Sequence, residues 1–156
     1  MDANNIEQKL QDMHLQFPVM HPSKGIYKKC LTVGNQLFVS GHVSVTAEGQ
    51  FITGKVGINL SEEEGKAAAR QCALAILGSI KEHLGDLSQL KRVIKILGMV
   101  NCGADFEKHA IIINGCSELF VQLMGDDNGK GVRSAEGMAS LPGNVAVEVE
   151  ALFELY

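Results

Sequence analysis

The sequence predicts an α+β fold in which a mixed sheet carries two helices packed on one face. Three observations point there. Residues 62–84 and 109–124 place apolar side chains at helical spacing. Short β-branched runs lie before, between and after them. The last run, 145–155, alternates with period two, as a strand buried on one side does.

The elements follow in order. Residues 1–24 read as a leader, with Ile6, Leu10 and Met13 spaced for a short amphipathic helix. Pro18 and Pro22 stop it, and the chain runs extended to about Gly25. Strands are expected at 26–33 and 36–41, turning at Gly34-Asn35. A glycine-bearing loop follows, with a short strand around Phe51-Ile52. Ser61 and Glu64 form a capping box for the helix over 62–84, and Gly85 ends it. Its apolar stripe is Ala68, Cys72, Ala75, Ile76, Ile80 and Leu84. A strand is expected at 91–100. In the second helix, 109–124, Ile112, Cys116, Leu119, Val121 and Leu123 supply the apolar side. Residues 126–131 read as a loop. Strands at 132–140 and 145–155 follow, joined through Leu141-Pro142-Gly143-Asn144. On the last strand Val145, Val147, Val149, Ala151, Phe153 and Leu155 face one way. Ala146, Glu148, Glu150, Leu152 and Glu154 face the other, a side that is bare to water or meets another subunit.

Length and charge narrow the function. At 156 residues the chain suits a single domain spanning 1–156, large enough to need neither disulfide nor metal for its core. Apolar residues at 46% and charged residues at 21% exclude a disordered tail or a fibrous repeat. The 14 basic against 18 acidic residues leave a net charge of −4, which disfavours nucleic acid as a main partner. No apolar run reaches the ~20 residues of a membrane span. The first residues lack the basic and apolar regions of a secretory signal, so a cytoplasmic location is expected. Cys30, Cys72, Cys102 and Cys116 form no Cys-x-x-Cys pair and read as reduced, mostly buried thiols.

Standard catalytic motifs are missing. Gly129-Lys130-Gly131 is too short for a phosphate loop, and no Gly-x-Ser-x-Gly elbow occurs. The five histidines never pair at metal-ligand spacing, so no metal is expected. What remains is Arg133 at the start of a strand of small residues, and Glu148 in the middle of the last strand. By themselves such residues are most often solvated surface charges.

Their surroundings carry more. The stretch from Arg133 to Ala151 joins an Arg133-Ser134 strand, a Leu141-Pro142 turn and the strand Val147-Glu148-Val149-Glu150-Ala151. It resembles the signature of the RidA/YjgF family, also called endoribonuclease L-PSP. Gly34-Asn35-Gln36-Leu37-Phe38-Val39-Ser40-Gly41 is similar to the family's Gly-Asn…Ser-Gly-Gln hairpin. Tyr27 stands where the family has its Gly-Pro-Tyr tyrosine, and Asn114, Glu118 and Phe120 match an Asn-x-x-x-Glu-x-Phe helix. The similarity covers roughly residues 25–155 in order. His42 replaces a common Gln, Ile26 a Pro, and Ala135 a Cys. The leader and residues 101–110 look longer than typical, which marks a divergent subgroup.

The resemblance implies a chorismate-mutase-like fold, a homotrimer and a ligand cleft between subunits. It also implies cofactor-free hydrolysis of reactive imines and enamines, such as 2-aminoacrylate, to 2-keto acids and ammonia. Arg133 would bind the substrate carboxylate and Glu148 would activate water. Tyr27, Ser40, Gly41, Asn114 and main-chain groups at Ala135 would line the cleft. Two alternatives stay open: a keto-acid-binding protein without turnover, and an endoribonuclease. If the last two strands form one simple hairpin at Pro142-Gly143, Arg133 and Glu148 are offset by about four residues, ~13 Å along the strands.

Overall fold

The computed structural model describes residues 5–156. Its sheet has the order β1-β2-β5-β3-β4, built from β1 (Cys30–Val33), β2 (Gln36–Val43), β3 (Leu90–Asn101), β4 (Val132–Met138) and β5 (Val147–Leu155). Every neighbouring pair is antiparallel except β3 and β4. A parallel pair needs a crossover, and α3 (His109–Met124) supplies it. The long helix α2 (Glu62–Leu84) connects β2 to β3.

The alternation along β5 sets the two faces. Val147, Val149, Ala151, Phe153 and Leu155 are buried in the core. Across the strand pair, Val147 meets Val100, Ala151 meets Ile96 and Phe153 meets Val93, all buried. The helices cover this face, so the expected mixed sheet with helices on one side is present. The other face carries Glu148, Glu150, Leu152 and Glu154.

Both long helices occupy the residues that their apolar spacing predicts. Ser61 Oγ accepts from the Glu64 N–H at 3.1 Å, and Glu64 Oε2 accepts from the Ser61 N–H at 2.7 Å. In α3, Phe120 rather than Val121 completes the buried stripe, its ring meeting Phe153 edge-on at 5.5 Å. The two helices approach so closely at Gly115 that a Cβ there would overlap the Lys66 carbonyl of α2.

The short helix expected in the leader forms as α1 (Ile6–Asp12), capped by the Asn5 side chain, and buries Ile6 and Leu10 in the core. Several other sequence expectations need correction. The first strand starts at Cys30, opposite Val39, and beyond that pair Ser40 and Gly41 form a bulge in β2 against β5. Phe51 forms only an isolated bridge to Val45. Residues 126–129 are a single helical turn, α4 (Asp126–Gly129). The last two strands are not a hairpin, since β3 lies between them. Buried Asn101, at the end of β3, explains the detour. Its Nδ2 donates to the Val145 carbonyl at 3.1 Å and to Asn144 Oδ1 at 3.0 Å. The link therefore crosses the end of β3 before β5 begins.

Gly115→Ala should lower stability by ~1–3 kcal/mol through overpacking of α2 against α3. Thermal unfolding followed by circular dichroism measures this, and an unchanged midpoint would contradict the close approach.

Candidate functional site

Arg133 extends from edge strand β4 onto α3. Nη1 donates to Ser117 Oγ at 3.0 Å, while Nη2 donates to Asn114 Oδ1 at 2.7 Å and to the Ala110 carbonyl at 3.1 Å. Ala110, Asn114 and Ser117 are spaced i, i+4, i+7, so they share one helix face. Three of the five guanidinium donors are engaged and two remain for a ligand. Ala135, on the same face of β4, is partly buried against the core. The sequence pointed to Arg133 and Asn114; Ala110 and Ser117 were missed, though the helical period from Asn114 marks both.

Glu148 belongs to a different cluster. It is half-buried on β5, directly across from Val43 of β2 and Met99 of β3. Its carboxylate lies against the bare Cα of Gly41, where a Cβ would overlap Oε1. Burial raises its pKa above the ordinary value of 4.5, and the neighbouring Glu150 charge raises it further. Ser40 Oγ donates to the Lys28 carbonyl at 2.6 Å, and the Ser40 N–H donates to the Lys29 carbonyl at 2.9 Å. These bonds hold the segment bearing Tyr27 beside the bulge. Tyr27 is 52% exposed and lines the depressions on both sides of it.

His42 fixes the bulge from beneath. A carbonyl only accepts, so Nδ1–H donates to the Ser40 carbonyl, at 2.6 Å. Nε2 lies 2.7 Å from Ser79 Oγ and accepts from it. Burial lowers the His42 pKa, keeping the ring neutral and the tautomer fixed. His42, one of three departures from the resembled pattern, thus braces Ser40 and Gly41.

The two clusters stay apart within one chain. Arg133 pairs with Ile96, which pairs with Ala151, whereas Glu148 is three residues from Ala151. An odd separation puts Arg133 and Glu148 on opposite faces of the sheet. Tyr27, Ser40 and Gly41 are farther still, because β2 and β4 are three strand spacings apart, roughly 14 Å.

Among the described residues no cluster of His, Cys, Asp and Glu could hold a metal ion. All four cysteines are buried and free. Burial pushes Cys116 up to about 12, and Cys72 well above its ordinary value, so neither is a ready nucleophile.

The fold has counterparts. The family model described as "YjgF/chorismate_mutase-like, putative endoribonuclease" matches residues 7–155. The chain belongs to the YjgF/RidA family. The match takes in most of α1. "Protein TCP17" of Trypanosoma cruzi is 36% identical over 98% of this chain and 96% of its own. The crystal structure of Atu1372, a protein "with unknown function" from Agrobacterium tumefaciens, is 35% identical with a TM-score of 0.88, covering 99% of this chain and 96% of that one. A Shewanella oneidensis structure described as a "putative endoribonuclease" is 26% identical with a TM-score of 0.90, covering 96% and 99%. RidA from a Psychrobacter species shares the fold, at 23% identity and a TM-score of 0.58, covering 89% and 98%. No helix of the described residues is long and apolar enough to cross a membrane.

The raised Glu148 pKa has a signed consequence. The unfolded carboxyl loses its proton near 4.5 and the folded one only at higher pH, so stability falls as pH rises through that window. Glu148→Gln removes this loss. Its thermal midpoint should exceed wild type near pH 7 and match it below 4.5; a pH-independent difference would refute the assignment. Cys72 and Cys116 should react with a thiol reagent at least about tenfold more slowly in the native than in the unfolded chain.

Proposed function

We propose that the protein hydrolyses reactive 2-imino and enamine acids of the 2-aminoacrylate type to 2-keto acids and ammonia, as a homotrimer with sites between subunits. The observation that carries this reading is the Arg133 guanidinium, held by three acceptors of α3 with two donors to spare. A positioned planar fork suits a carboxylate, the one group common to imino-acid substrates and keto-acid products.

Glu148 supplies the base. An enamine first tautomerises to the imine. Glu148 takes a proton from water as the oxygen adds to the imine carbon, the electron pair of the C=N bond moves to nitrogen, and Glu148 hands its proton to that nitrogen. Transfer of the hydroxyl proton of the resulting carbinolamine to nitrogen then lets the C–N bond break, releasing ammonia and leaving the keto group. A carboxylate whose proton affinity is raised by burial is a better base for this step than a solvated one. No cofactor enters the sequence of steps.

Assembly follows from the separation of the clusters. One chain offers Arg133 on one side of its sheet and Glu148 on the other, so a small ligand reaches both only across a subunit boundary. A head-to-tail interface joins unlike surfaces and forms a ring where its rotation closes, and the family resemblance supports a ring of three. The net charge of −4 gives no support to a ribonuclease reading.

Coupling the protein to a dehydratase that releases 2-aminoacrylate, and following keto-acid formation, tests the reaction. Arg133→Lys should lose keto-acid binding and turnover together, since a point charge cannot replace the fork. Glu148→Gln should keep the ligand and slow the chemical step by ~10²–10⁴. Refolding the two inactive variants as an equal mixture should restore roughly a quarter of wild-type activity, because mixed rings contain sites with both groups intact. No recovery would sink the shared site, and a single-chain mass by light scattering would sink the trimer. Keto-acid binding without any turnover in wild type would replace the deaminase by a binding protein.

A further inference from the structure

β2 loses its regular pairing at the point nearest the proposed base. The β1 ladder ends at the pair Cys30–Val39, and the register against β5 breaks between Val39 and His42. Gly41 has no side chain to anchor it, yet the Glu148 carboxylate lies against its Cα.

The bulge is held from its inner side. Ser79 is 2% exposed on α2, beside the fully buried Ile76, Leu77 and Ile80, so its hydroxyl is a fixed point in the core. That hydroxyl donates to His42 Nε2, and His42 Nδ1–H donates to the Ser40 carbonyl. In the other tautomer an Nδ1 lone pair would face the carbonyl oxygen, so the chain Ser79–His42–Ser40 has one hydrogen arrangement. Around the carboxylate itself, Gly41 and Val43 of β2 and Met99 of β3 do not titrate. Glu150, on the same strand, is the charge that acts on it.

We propose that His42 and Ser79 are positioning residues for Glu148: through the Ser40 carbonyl they hold Gly41 against the carboxylate, which fixes its direction and keeps water from one side. The inference rests on the deaminase reading for the role of Glu148 and on the geometry for the coupling. With the brace cut, the bulge relaxes, the carboxylate gains water and rotamers, and it faces the attacking water less often. The ligand carboxylate, held by Arg133 in the other cluster, is unaffected. A misplaced base therefore costs rate and not binding.

His42→Ala removes both bonds, and the freed Ser79 hydroxyl can turn to the Ala75 carbonyl four residues back. Ser79→Ala removes only the anchor on α2. In the coupled 2-aminoacrylate assay His42→Ala should lower kcat ~10–10²-fold while pyruvate binding, read by calorimetry, stays within about twofold of wild type. His42→Gln, whose amide keeps a donor and an acceptor, should recover kcat to within about fivefold of wild type. A purely structural role would destabilise the fold without touching Glu148, and a double-mutant cycle on the thermal midpoint near pH 7 separates the two. Glu148→Gln should raise the midpoint in the His42→Ala and Ser79→Ala backgrounds by no more than about half of what it does in wild type, because the released carboxylate is already hydrated. Equal gains in all backgrounds, or an unchanged kcat in both brace variants, would overturn the proposal. If His42→Ala does not fold, Ser79→Ala decides both measurements. If wild type shows no turnover, the deaminase reading falls and the midpoint cycle alone decides the brace.

Discussion

The antiparallel seating of β5 between β2 and β3 is the constraint on which the rest of the structure depends. A strand with period-two alternation, buried on one side, must turn all its odd residues to the helices and all its even ones away. The core pairs Val147–Val100, Ala151–Ile96 and Phe153–Val93 fix that register. A slip by one residue would bury Glu148 and Glu150 among the helices, at a cost no neighbouring cation offsets. The register that satisfies the core therefore also presents Glu148 on the open face.

That register explains why the candidate site is divided. Arg133 shares its row with Ile96 and Ala151, so it inherits the helix-facing direction. It then finds acceptors on α3, the helix that the parallel β3–β4 step requires. Glu148 has the opposite direction and meets the β2 bulge instead. Neither position could be moved to the other face without shifting the strand that carries the core. In the proposed trimer, symmetry brings together what the sheet keeps apart.

Much of this was legible in the sequence, and for identifiable reasons. α2 begins with a reciprocal capping box and ends at Gly85, whose φ of 92° favours glycine. Signals that local specify an element's ends unaided. β5 was legible because alternation is a local property. The strand order was not, because it depends on Asn101 drawing the 144–146 link over the end of β3, a contact across more than forty residues. Arg133, Glu148, Tyr27, Ser40, Gly41, Asn114 and Ala135 came from the family signature, not from local pattern. Their division between two clusters needed the register. The bulge at Ser40 and Gly41 was hidden because its brace is His42 against Ser79 of α2, a tertiary contact.

The contact of Glu148 with Gly41 reaches beyond geometry into how these positions can change. A methyl group at 41 would meet the flexible end of a side chain, not backbone, so the fold would absorb it and the carboxylate would move. Shortening the acid to aspartate would draw the carboxylate back and vacate the same space. The effect of a substitution at either position thus depends on the residue at the other, an epistatic pair. A change at 41 is thereby coupled to the residue at 148, although the two are more than one hundred residues apart in the chain.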